Sequence, residues 1–419
     1  MRRRRSGISL SRRSGAVPAE ASVSENPHGS ETVKTHRIAV VGCGAFARMV
    51  HLPNIQANPR AELVMTCDQD HGLAEESRAT FGARRASGDW REVVAADDVD
   101  VIVLATHTNL RRDLILPALA AGKPVLVEKP LANSQEEMIE IVREVRRTGV
   151  PVCVGHNRRS SPGVLDLKRL LDKAIQEGGT LVPAVDRSAG GRRTELPEER
   201  QIQLLIRVND DCRSWVDWIY WDREGILFAE MVHFIDVALW LNPSPPVRVF
   251  AEGSARGNFT LLIRFQDGSL TTIQQGLAGH FDYPKELFEV TTRHVTLALD
   301  HHVELRQRGL ADEPFRRVYP FGPIPDGQSG EGIEGFHQAV TRAREAAALR
   351  GGPPAYISPD KGHAAHLDGF LDCVEGRGRN PCDVADAVVV TRIALKLLDA
   401  IRLGMPLAVG PEDWHIPAG

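Results

Sequence analysis

Two closely spaced glycines follow an apolar run near the start of the chain, and they place the strongest constraint on the fold. Residues 37–41 are predicted to form a buried strand that ends at Gly42. Gly42 permits a tight turn, Gly44 lets the backbone approach a phosphate, and Ala47, in the third position of the motif, lets a helix pack close to the strand. The first turn of that helix offers N–H groups and a positive dipole end. The pattern predicts a strand–turn–helix unit that binds a dinucleotide.

A second apolar run, residues 61–67, ends at Asp68. The spacing is typical of the acid that binds the adenosine ribose hydroxyls. A carboxylate there would repel a 2′-phosphate, and residues 69–71 contain no arginine to bind one, so the sequence favours NAD over NADP. The alternative is a glycine turn with an exposed Asp68, which leaves the order of strand, turn, helix, strand and acid as a coincidence.

Apolar strands and helical patterns alternate through the first half of the chain. This alternation predicts a parallel, doubly wound α/β sheet, the Rossmann arrangement. We expect strands at 37–41, 62–67, 101–105, 124–127 and 151–155, and helices at 47–57, 71–81, 110–121 and 134–147.

The second half has the pattern of an α+β domain with a large, open, mainly antiparallel sheet. Apolar and polar residues alternate along its strands, as in a sheet with one covered face, and Asp267 with Gly268 favours a hairpin turn. The open face suits pairing of subunits into a homodimer or homotetramer. We expect strands at 247–252, 258–266, 269–275, 286–291 and 295–300, helices at 164–175, 361–374 and 384–402, and loops at 185–203 and 308–332.

A lysine stands at the end of one predicted strand of the first half. Residues 125–127 run into Glu128, Lys129 and Pro130, and the proline ends the strand. Ligands of open α/β sheets bind at the carboxyl ends of the strands. Lys129 therefore provides a fixed positive charge or a proton donor at the expected ligand site.

Glu230, His233 and Asp236 recur at intervals of three within a predicted helix, residues 228–241, and share one face. Carboxylates one turn away on either side would hold the imidazole in one tautomer and keep it basic, which suits proton transfer at neutral pH. The alternative is a polar helix face with a solvated histidine. The spacing differs from the His-Glu-x-x-His of zinc enzymes and no other ligand set is evident, so we expect no metal.

The composition is that of a globular protein with two domains. The chain has 419 residues, of which 42% are hydrophobic, and a net charge of −4 that gives no sign of nucleic-acid binding. Its six cysteines form no Cys-x-x-Cys pair, which favours thiols in a reducing compartment, and no apolar run reaches the length of a membrane span. We expect a cytoplasmic protein without membrane or nucleic-acid partners. The arginine-rich residues 1–36 lack the apolar segment of an export signal and are predicted to be a disordered tail.

Taken together, these motifs resemble those of the Gfo/Idh/MocA oxidoreductases, a family named for glucose–fructose oxidoreductase, inositol dehydrogenase and a rhizopine-catabolism protein. The resemblance extends from residue 37 to about residue 407, and its details are similar to a branch that includes sugar and polysaccharide-biosynthesis members. It rests on residues 42–47, 105–106, 128–130, 155–159, 230–236, 360–363 and 391–394.

The resemblance implies NAD(P)-dependent hydride transfer at a secondary alcohol or ketone of a small-molecule sugar, nucleotide sugar or cyclitol. It implies a tail at 1–36, a Rossmann domain at 37–156, a substrate and oligomerisation domain at 157–407 and a C-terminal tail at 408–419.

The family's site residues carry over as follows. Lys129 would stabilise the developing alkoxide, His233 would take its proton, and Glu230 would assist on the same helix face. The residues implied to hold the dinucleotide are Gly42, Gly44, Phe46, Ala47, Asp68, Thr106, His107, Asn109, Glu128 and Lys129. Those implied to face the substrate are Asn157, Arg158, Arg159 and Asp236, with a solvated loop as the alternative for the two arginines.

The chain departs from the family pattern in several places. Many members have an acid four residues before the helix histidine, where this chain has Ala229, with Glu230 one residue later. A frequent histidine after the Ala-Thr motif is Arg111. The aromatic residues before Glu230 either wall a substrate pocket or pack in the core; they are Trp215, Trp218, Tyr220 and Trp221.

Two other functions remain open from the sequence. One is cleavage of glycosides through transient oxidation by a tightly held NAD. The other is a non-catalytic dinucleotide-binding regulator, which would need neither Lys129 nor His233.

Overall fold

The structure is a computed structural model that describes residues 34–132, 134–179, 197–214, 225–255, 257–323 and 330–416. The aromatic residues at 215–221 and almost all of the predicted N-terminal tail lie outside the described residues. Residues 35–419 form one unit, so the domain boundary at 156/157 stays a prediction.

The first half forms the predicted parallel sheet. Its six strands have the order β3-β2-β1-β4-β5-β6, and the chain reverses direction across the sheet between β1 and β4. Such a switch point opens a crevice at the carboxyl ends of the strands. The short strand β3 was not among the predicted ones. The strands are β1 (His36–Val41), β2 (Ala61–Cys67), β3 (Arg85–Ser87), β4 (Val101–Leu104), β5 (Val125–Val127) and β6 (Val152–Val154).

Helices cover both faces of this sheet, so its strands are buried on both sides. The turn after β1 leads into a π-helical turn, Ala47–His51, which continues as α1. The helices of this half are α1 (Leu52–Ala57), α2 (His71–Phe81), α3 (Trp90–Ala95), α4 (Arg111–Ala120) and α5 (Gln135–Thr148), with a 3₁₀ turn at Thr108–Leu110.

The second half forms a nine-stranded sheet with the order β14-β13-β12-β11-β7-β10-β9-β8-β17. Neighbouring strands are antiparallel except β7 and β10, which are parallel. The strands are β7 (Gln203–Asn209), β8 (Pro246–Gly253), β9 (Phe259–Phe265), β10 (Leu270–Gly276), β11 (Glu286–Thr292), β12 (Val295–Asp300), β13 (Glu304–Arg308), β14 (Arg316–Val318) and β17 (Leu407–Ala408), while β15 (Phe321–Gly322) and β16 (Ser358–Pro359) pair separately.

One face of the nine-stranded sheet is covered by helices, as its alternating burial predicts. A π-helical turn, Leu227–Met231, precedes α7. The helices are α6 (Pro162–Glu177), α7 (Val232–Leu241), α8 (Gly332–Arg350), α9 (His363–Val374), α10 (Val384–Leu403) and α11 (Pro411–Trp414), with 3₁₀ turns at Asn157–Ser160, Pro197–Arg200 and Cys212–Ser214.

Two helices late in the chain, α9 and α10, pack back onto the first sheet. Leu367 and Phe370 of α9 join the core on one of its faces, and Val384 and Val388 of α10 join the core on the other. Because Val390 and Ile393 of α10 also belong to the core of the nine-stranded sheet, this helix connects the two sheets.

The second half corrects two expectations. The predicted loop at 308–332 contains the strands β14 and β15. The central strand β7, which pairs with β10 and β11 from much later in the chain, was missing from the prediction. Among the described helices, none is both long and apolar enough to cross a bilayer.

The difference between the covered and the open face of the nine-stranded sheet leads to a prediction about stability. Leu297 of β12 is fully buried, whereas Leu205 of β7 is 38% exposed. We expect Leu297→Ala to lower the free energy of unfolding by about 2–5 kcal/mol through lost burial and a residual cavity, and Leu205→Ala to lower it by less than about 1 kcal/mol. Denaturant unfolding followed by circular dichroism measures both. Equal losses would contradict the assignment of covered and open faces.

Candidate functional site

A large cleft lies at the carboxyl ends of the parallel strands. Its volume is about 1960 Å³, roughly twice the upper end of ordinary ligand pockets at about 1,000 Å³. Its walls include the three predicted catalytic residues Lys129, His233 and Glu230. They also include all the residues predicted to bind the cofactor: Gly42, Gly44, Phe46, Ala47, Asp68, Thr106, His107, Asn109, Glu128 and Lys129.

The glycine turn has the predicted shape. Gly42 has φ +91°, and a Cβ there would lie 2.7 Å from the carbonyl of Ala105, so only glycine fits. A Cβ on Gly44 would meet no atom within 4 Å. Gly44 therefore leaves open space beside the start of the helix, as a backbone that must admit a phosphate requires.

Asp68 is held at the end of β2 by two backbone amides. Its Oδ2 accepts the N–H of Cys43 at 2.8 Å, and its Oδ1 accepts the N–H of Asp70 at 3.0 Å. Across the switch point, the buried Oγ1 of Thr106 has no hydrogen-bond partner among the described residues. A fixed acceptor, an open glycine and an unpartnered hydroxyl in one cleft fit a dinucleotide.

Glu128 is a buried acid that faces the same cleft. Its Oε1 lies 2.9 Å from Nε2 of His51. Burial alone would raise the pKa of the carboxyl, but the contact with His51 and the charges of Lys129 and Arg111 lower it to about 2. Gly155 makes room for this side chain, since a Cβ there would lie 2.8 Å from a carboxylate oxygen.

Lys129 reaches across the cleft to the second half of the chain. Its Nζ donates a hydrogen bond to the carbonyl of Ala229, which lies in the π-helical turn before α7. Burial lowers the pKa of Lys129, while the charges of Glu230 and Glu128 partly offset that effect. Lys129 is therefore held by a carbonyl, and no described carboxylate forms an ion pair with it.

Arg111 clamps the two turns that surround Lys129. Its buried guanidinium donates to the carbonyl of Thr106 at 2.7 and 3.1 Å, and also to the carbonyls of Glu128 and Pro130. Burial lowers the pKa of Arg111 to about 10. Arg111, at a position where the family frequently has a histidine, is therefore a cation that fixes the turn around Lys129.

His233 is buried in the cleft wall, with its ring at 86° to that of His156 and the centroids 5.7 Å apart. Its Nδ1 has no hydrogen-bond partner among the described residues. Burial, followed by the charges of Arg158 and Lys129, lowers the pKa of His233 well below its ordinary value. The imidazole is therefore neutral and able to accept a proton.

The expectation that Glu230 and Asp236 hold His233 is wrong. Glu230 instead accepts from Lys285 at 2.8 Å and from Arg158 at 3.2 Å. Asp236 accepts three hydrogen bonds from Arg159 at 2.6–3.1 Å. The carboxylates pair with these cations because a buried guanidinium or ammonium requires a counter-charge more strongly than a neutral imidazole requires an orienting group.

Of the four residues predicted to contact substrate, one lines the cleft and three do not. Arg158 lines the cleft, with its guanidinium bound to Glu286 at 2.9 and 3.0 Å. Asn157, Arg159 and Asp236 are not among the residues that line the cleft, so their contact with substrate stays a prediction. Arg158 and Arg159 are 4% and 7% exposed, so the alternative of a solvated pair is wrong.

One cluster among the described residues has the spacing of metal ligands. Atoms of His156, Asp236 and Cys382 lie within 4.8 Å of one another. Both oxygens of Asp236 already accept hydrogen bonds from Arg159, and burial raises the pKa of the Cys382 thiol well above its ordinary value. The positively charged guanidinium of Arg159 therefore takes the place beside Asp236 that a metal ion would occupy.

Lys285, Lys361 and His363 are among the cleft residues that were not predicted from the sequence. Lys285 precedes β11, and nothing local marks it. Lys361 and His363 belong to the Asp-Lys-Gly-His stretch that was noted only as part of the family resemblance. Burial lowers the pKa of His363 to about 3, so it is a neutral side chain in the cleft.

Known proteins with similar sequences define the class of this chain. The profile of GFO_IDH_MocA, described as an oxidoreductase family with an NAD-binding Rossmann fold, matches residues 36–156. D-Apiose dehydrogenase of Paraburkholderia graminis is 30% identical over 290 residues, which are 66% of this chain and 71% of that protein. The chain belongs to the Gfo/Idh/MocA family of oxidoreductases.

Other relatives match shorter parts or share only the fold. The 4-carboxy-2-hydroxymuconate-6-semialdehyde dehydrogenase of Sphingobium is 29% identical over 185 residues, or 44% of this chain and 54% of that protein. The chain spans about half the length of the first three curated relatives, between 40% and 54%. A myo-inositol dehydrogenase from Corynebacterium glutamicum shares the fold, with a TM-score of 0.66, 23% identity and coverage of 90% of this chain and 99% of that one.

The buried pair between Arg159 and Asp236 makes a prediction about stability. Asp236→Ala would leave the guanidinium buried with only Asp386, so we expect a loss of about 3–5 kcal/mol in the free energy of unfolding. The matched control is Asp386→Ala. It also removes a bond to Arg159, at 2.6 Å, but from a side chain that is 48% exposed, so we expect a loss of about 1 kcal/mol or less. Urea unfolding measures both, and equal losses would contradict the central place of Asp236.

Proposed function

We propose that this protein is an NAD-dependent dehydrogenase or reductase that acts on a secondary alcohol or ketone of a sugar-like polyol. One observation carries the proposal. Lys129 and His233 come from different halves of the chain and meet in the cleft onto which the glycine turn and Asp68 open. They lie close enough for the charge of Lys129 to lower the pKa of His233. A protein that only binds a dinucleotide requires neither group.

The residues that would hold the cofactor support NAD over NADP. Gly44 and the start of the π-helical turn would bind the pyrophosphate, and Asp68 would accept hydrogen bonds from the adenosine ribose. The fixed carboxylate of Asp68 disfavours the 2′-phosphate of NADP by charge repulsion.

In the proposed mechanism, the chain supplies a cation and a base. Lys129, placed by the carbonyl of Ala229 and by the clamp of Arg111, would donate a hydrogen bond to the reacting oxygen and stabilise its developing charge. His233 would take the hydroxyl proton at a ring nitrogen, since its neutral form is favoured by burial. Hydride transfer at the substrate carbon is the chemistry that NAD supplies when it is bound.

The substrate class is proposed from the cleft and from the relatives. The names of several relatives refer to inositol, that of another to D-apiose, and that of a further one to a carboxylated semialdehyde. We further propose a cytoplasmic homo-oligomer that pairs through the open face of the nine-stranded sheet.

Replacing Lys129 tests the proposed function. The wild type is first screened with NAD against sugars, nucleotide sugars and cyclitols by the absorbance of NADH. On the best substrate, we expect Lys129→Met to lower kcat at least 100-fold, in the range of one proton-transfer or charge-stabilising group. The dissociation constant for NAD, from fluorescence titration, should stay within a few-fold, and NADP should bind more weakly than NAD.

The control is Lys396→Met, because Lys396 pairs with Asp413 away from the cleft. It should keep kcat within about two-fold, because Lys396 does not line the cleft. Turnover that survives Lys129→Met would contradict the mechanism. Glycoside cleavage without net NADH would favour the transient-oxidation alternative.

The pH dependence of kcat/KM for alcohol oxidation follows from two pKa shifts. His233 must be neutral, and its pKa is lowered, so the loss at acid pH should occur only below about pH 6.5. Lys129 must be protonated, and its pKa is also lowered, so the loss at alkaline pH should begin below about pH 10.5. Lys129→Arg should remove the alkaline limb, because a guanidinium stays charged. An alkaline limb that persists in Lys129→Arg would assign it to another group.

A further inference from the structure

The walls of the cleft carry several ammonium groups. Lys129, Lys285 and Lys361 all line it, together with Arg158. Lys361 and Lys285 have side chains that are 12% and 14% exposed. Both lysines are therefore partly buried wall residues of the cleft rather than surface lysines.

The lysines retain hydrogen-bond donors that the described residues do not satisfy. An ammonium has three N–H donors. Lys285 contacts Asp210 at 3.0 Å and Glu230 at 2.8 Å, Lys361 contacts Glu286 at 2.9 Å, and Lys129 contacts the carbonyl of Ala229. In the described part of the chain, one N–H of Lys285 and two each of Lys361 and Lys129 remain without an acceptor.

Two of the nearby acids, Glu286 and Glu230, have other cationic partners, whereas Asp210 lies 3.0 Å from Lys285 and its Oδ2 makes no hydrogen bond to a described residue. Glu286 accepts two hydrogen bonds from Arg158 and lies 2.8 Å from His302. Glu230 accepts from both Arg158 and Lys285. Lys361 therefore adds positive charge to a carboxylate, Glu286, that has other partners.

The backbone of Lys361 is built into the fold. Its carbonyl accepts the side-chain N–H of Asn157 at 2.7 Å. The next residue, Gly362, has φ +85°, and a Cβ there would lie 2.3 Å from the backbone N of Ser161. Asn157 thus fixes the segment that presents Lys361 to the cleft.

We propose that the substrate carries an anionic group, a carboxylate or a phosphate, and that Lys361, with Lys285 beside it, binds that group. An anion in the cleft would accept charge-assisted hydrogen bonds from several of these remaining N–H donors. The inference rests on the proposed function and narrows its substrate from polyols in general to sugar acids or sugar phosphates.

Matched substrates test the inference. For glucose, galactose and mannose, the neutral sugar, its uronate and its 6-phosphate are compared in kcat/KM with NAD. The same compounds are titrated into the NADH-loaded protein, with NADH fluorescence as a readout that needs no turnover. We expect an anionic member to exceed its neutral partner at least ten-fold in both assays. The uronate and phosphate arms identify which anion is bound.

Variants of Lys361 connect the preference to the residue. Lys361→Met should lower the anionic-to-neutral ratio at least ten-fold, and Lys361→Arg should retain most of it because the charge remains. Lys361→Gln serves as a second neutral variant if the methionine protein does not fold by circular dichroism. The control is Lys168→Met on α6, whose ammonium pairs with Asp172 away from the cleft, and it should leave the ratio unchanged.

The outcomes separate the inference from the proposed function. Preference for neutral members, or a ratio that survives both neutral Lys361 variants, overturns the inference while NADH formation still supports the function. Binding preference for anions that depends on Lys361, without NADH from any compound, supports the anion site and overturns the function.

Discussion

Two adjacent buried arginines connect the elements on which the cleft depends. Arg158 and Arg159 lie just after the last strand of the parallel sheet. Arg158 binds Glu286 of the second sheet and Glu230 of the π-helical turn, and Arg159 binds Asp236 of α7. Because a buried guanidinium without a counter-charge is costly, these contacts fix the helix that presents His233 against the sheet that presents Lys129.

This arrangement determines the chemistry of the site. The arginines engage the carboxylates that the helix spacing placed beside His233, and the imidazole is left neutral with an unpartnered nitrogen. Lys129 is placed by the carbonyl of Ala229 from the π-helical turn, where an acid is frequent in the family. π-Helical turns occur often at functional sites because they redirect single backbone groups, and a second one follows the glycine turn.

Much of the fold could be predicted from local pattern. The parallel sheet follows from alternating strands and helices, and the cofactor side of the site follows from Gly42, Gly44 and Asp68, because those roles depend on backbone geometry within one short unit. The central strand β7 was missed, since its partners are distant in sequence. The partners of Asn157, Arg159 and Asp236 could not be predicted either, because each side chain binds a residue far along the chain.

The sequence by itself determined the family, the Rossmann half and the presence of Lys129 and His233 in one site, because short motifs encode turns, strand ends and helix faces. Only the tertiary structure decided which charges pair with which. Lys285 and Lys361 entered the cleft through the packing of the second sheet and of the segment before α9. Coulomb interactions between buried groups depend on distances across the fold, and no periodicity along the chain records those distances.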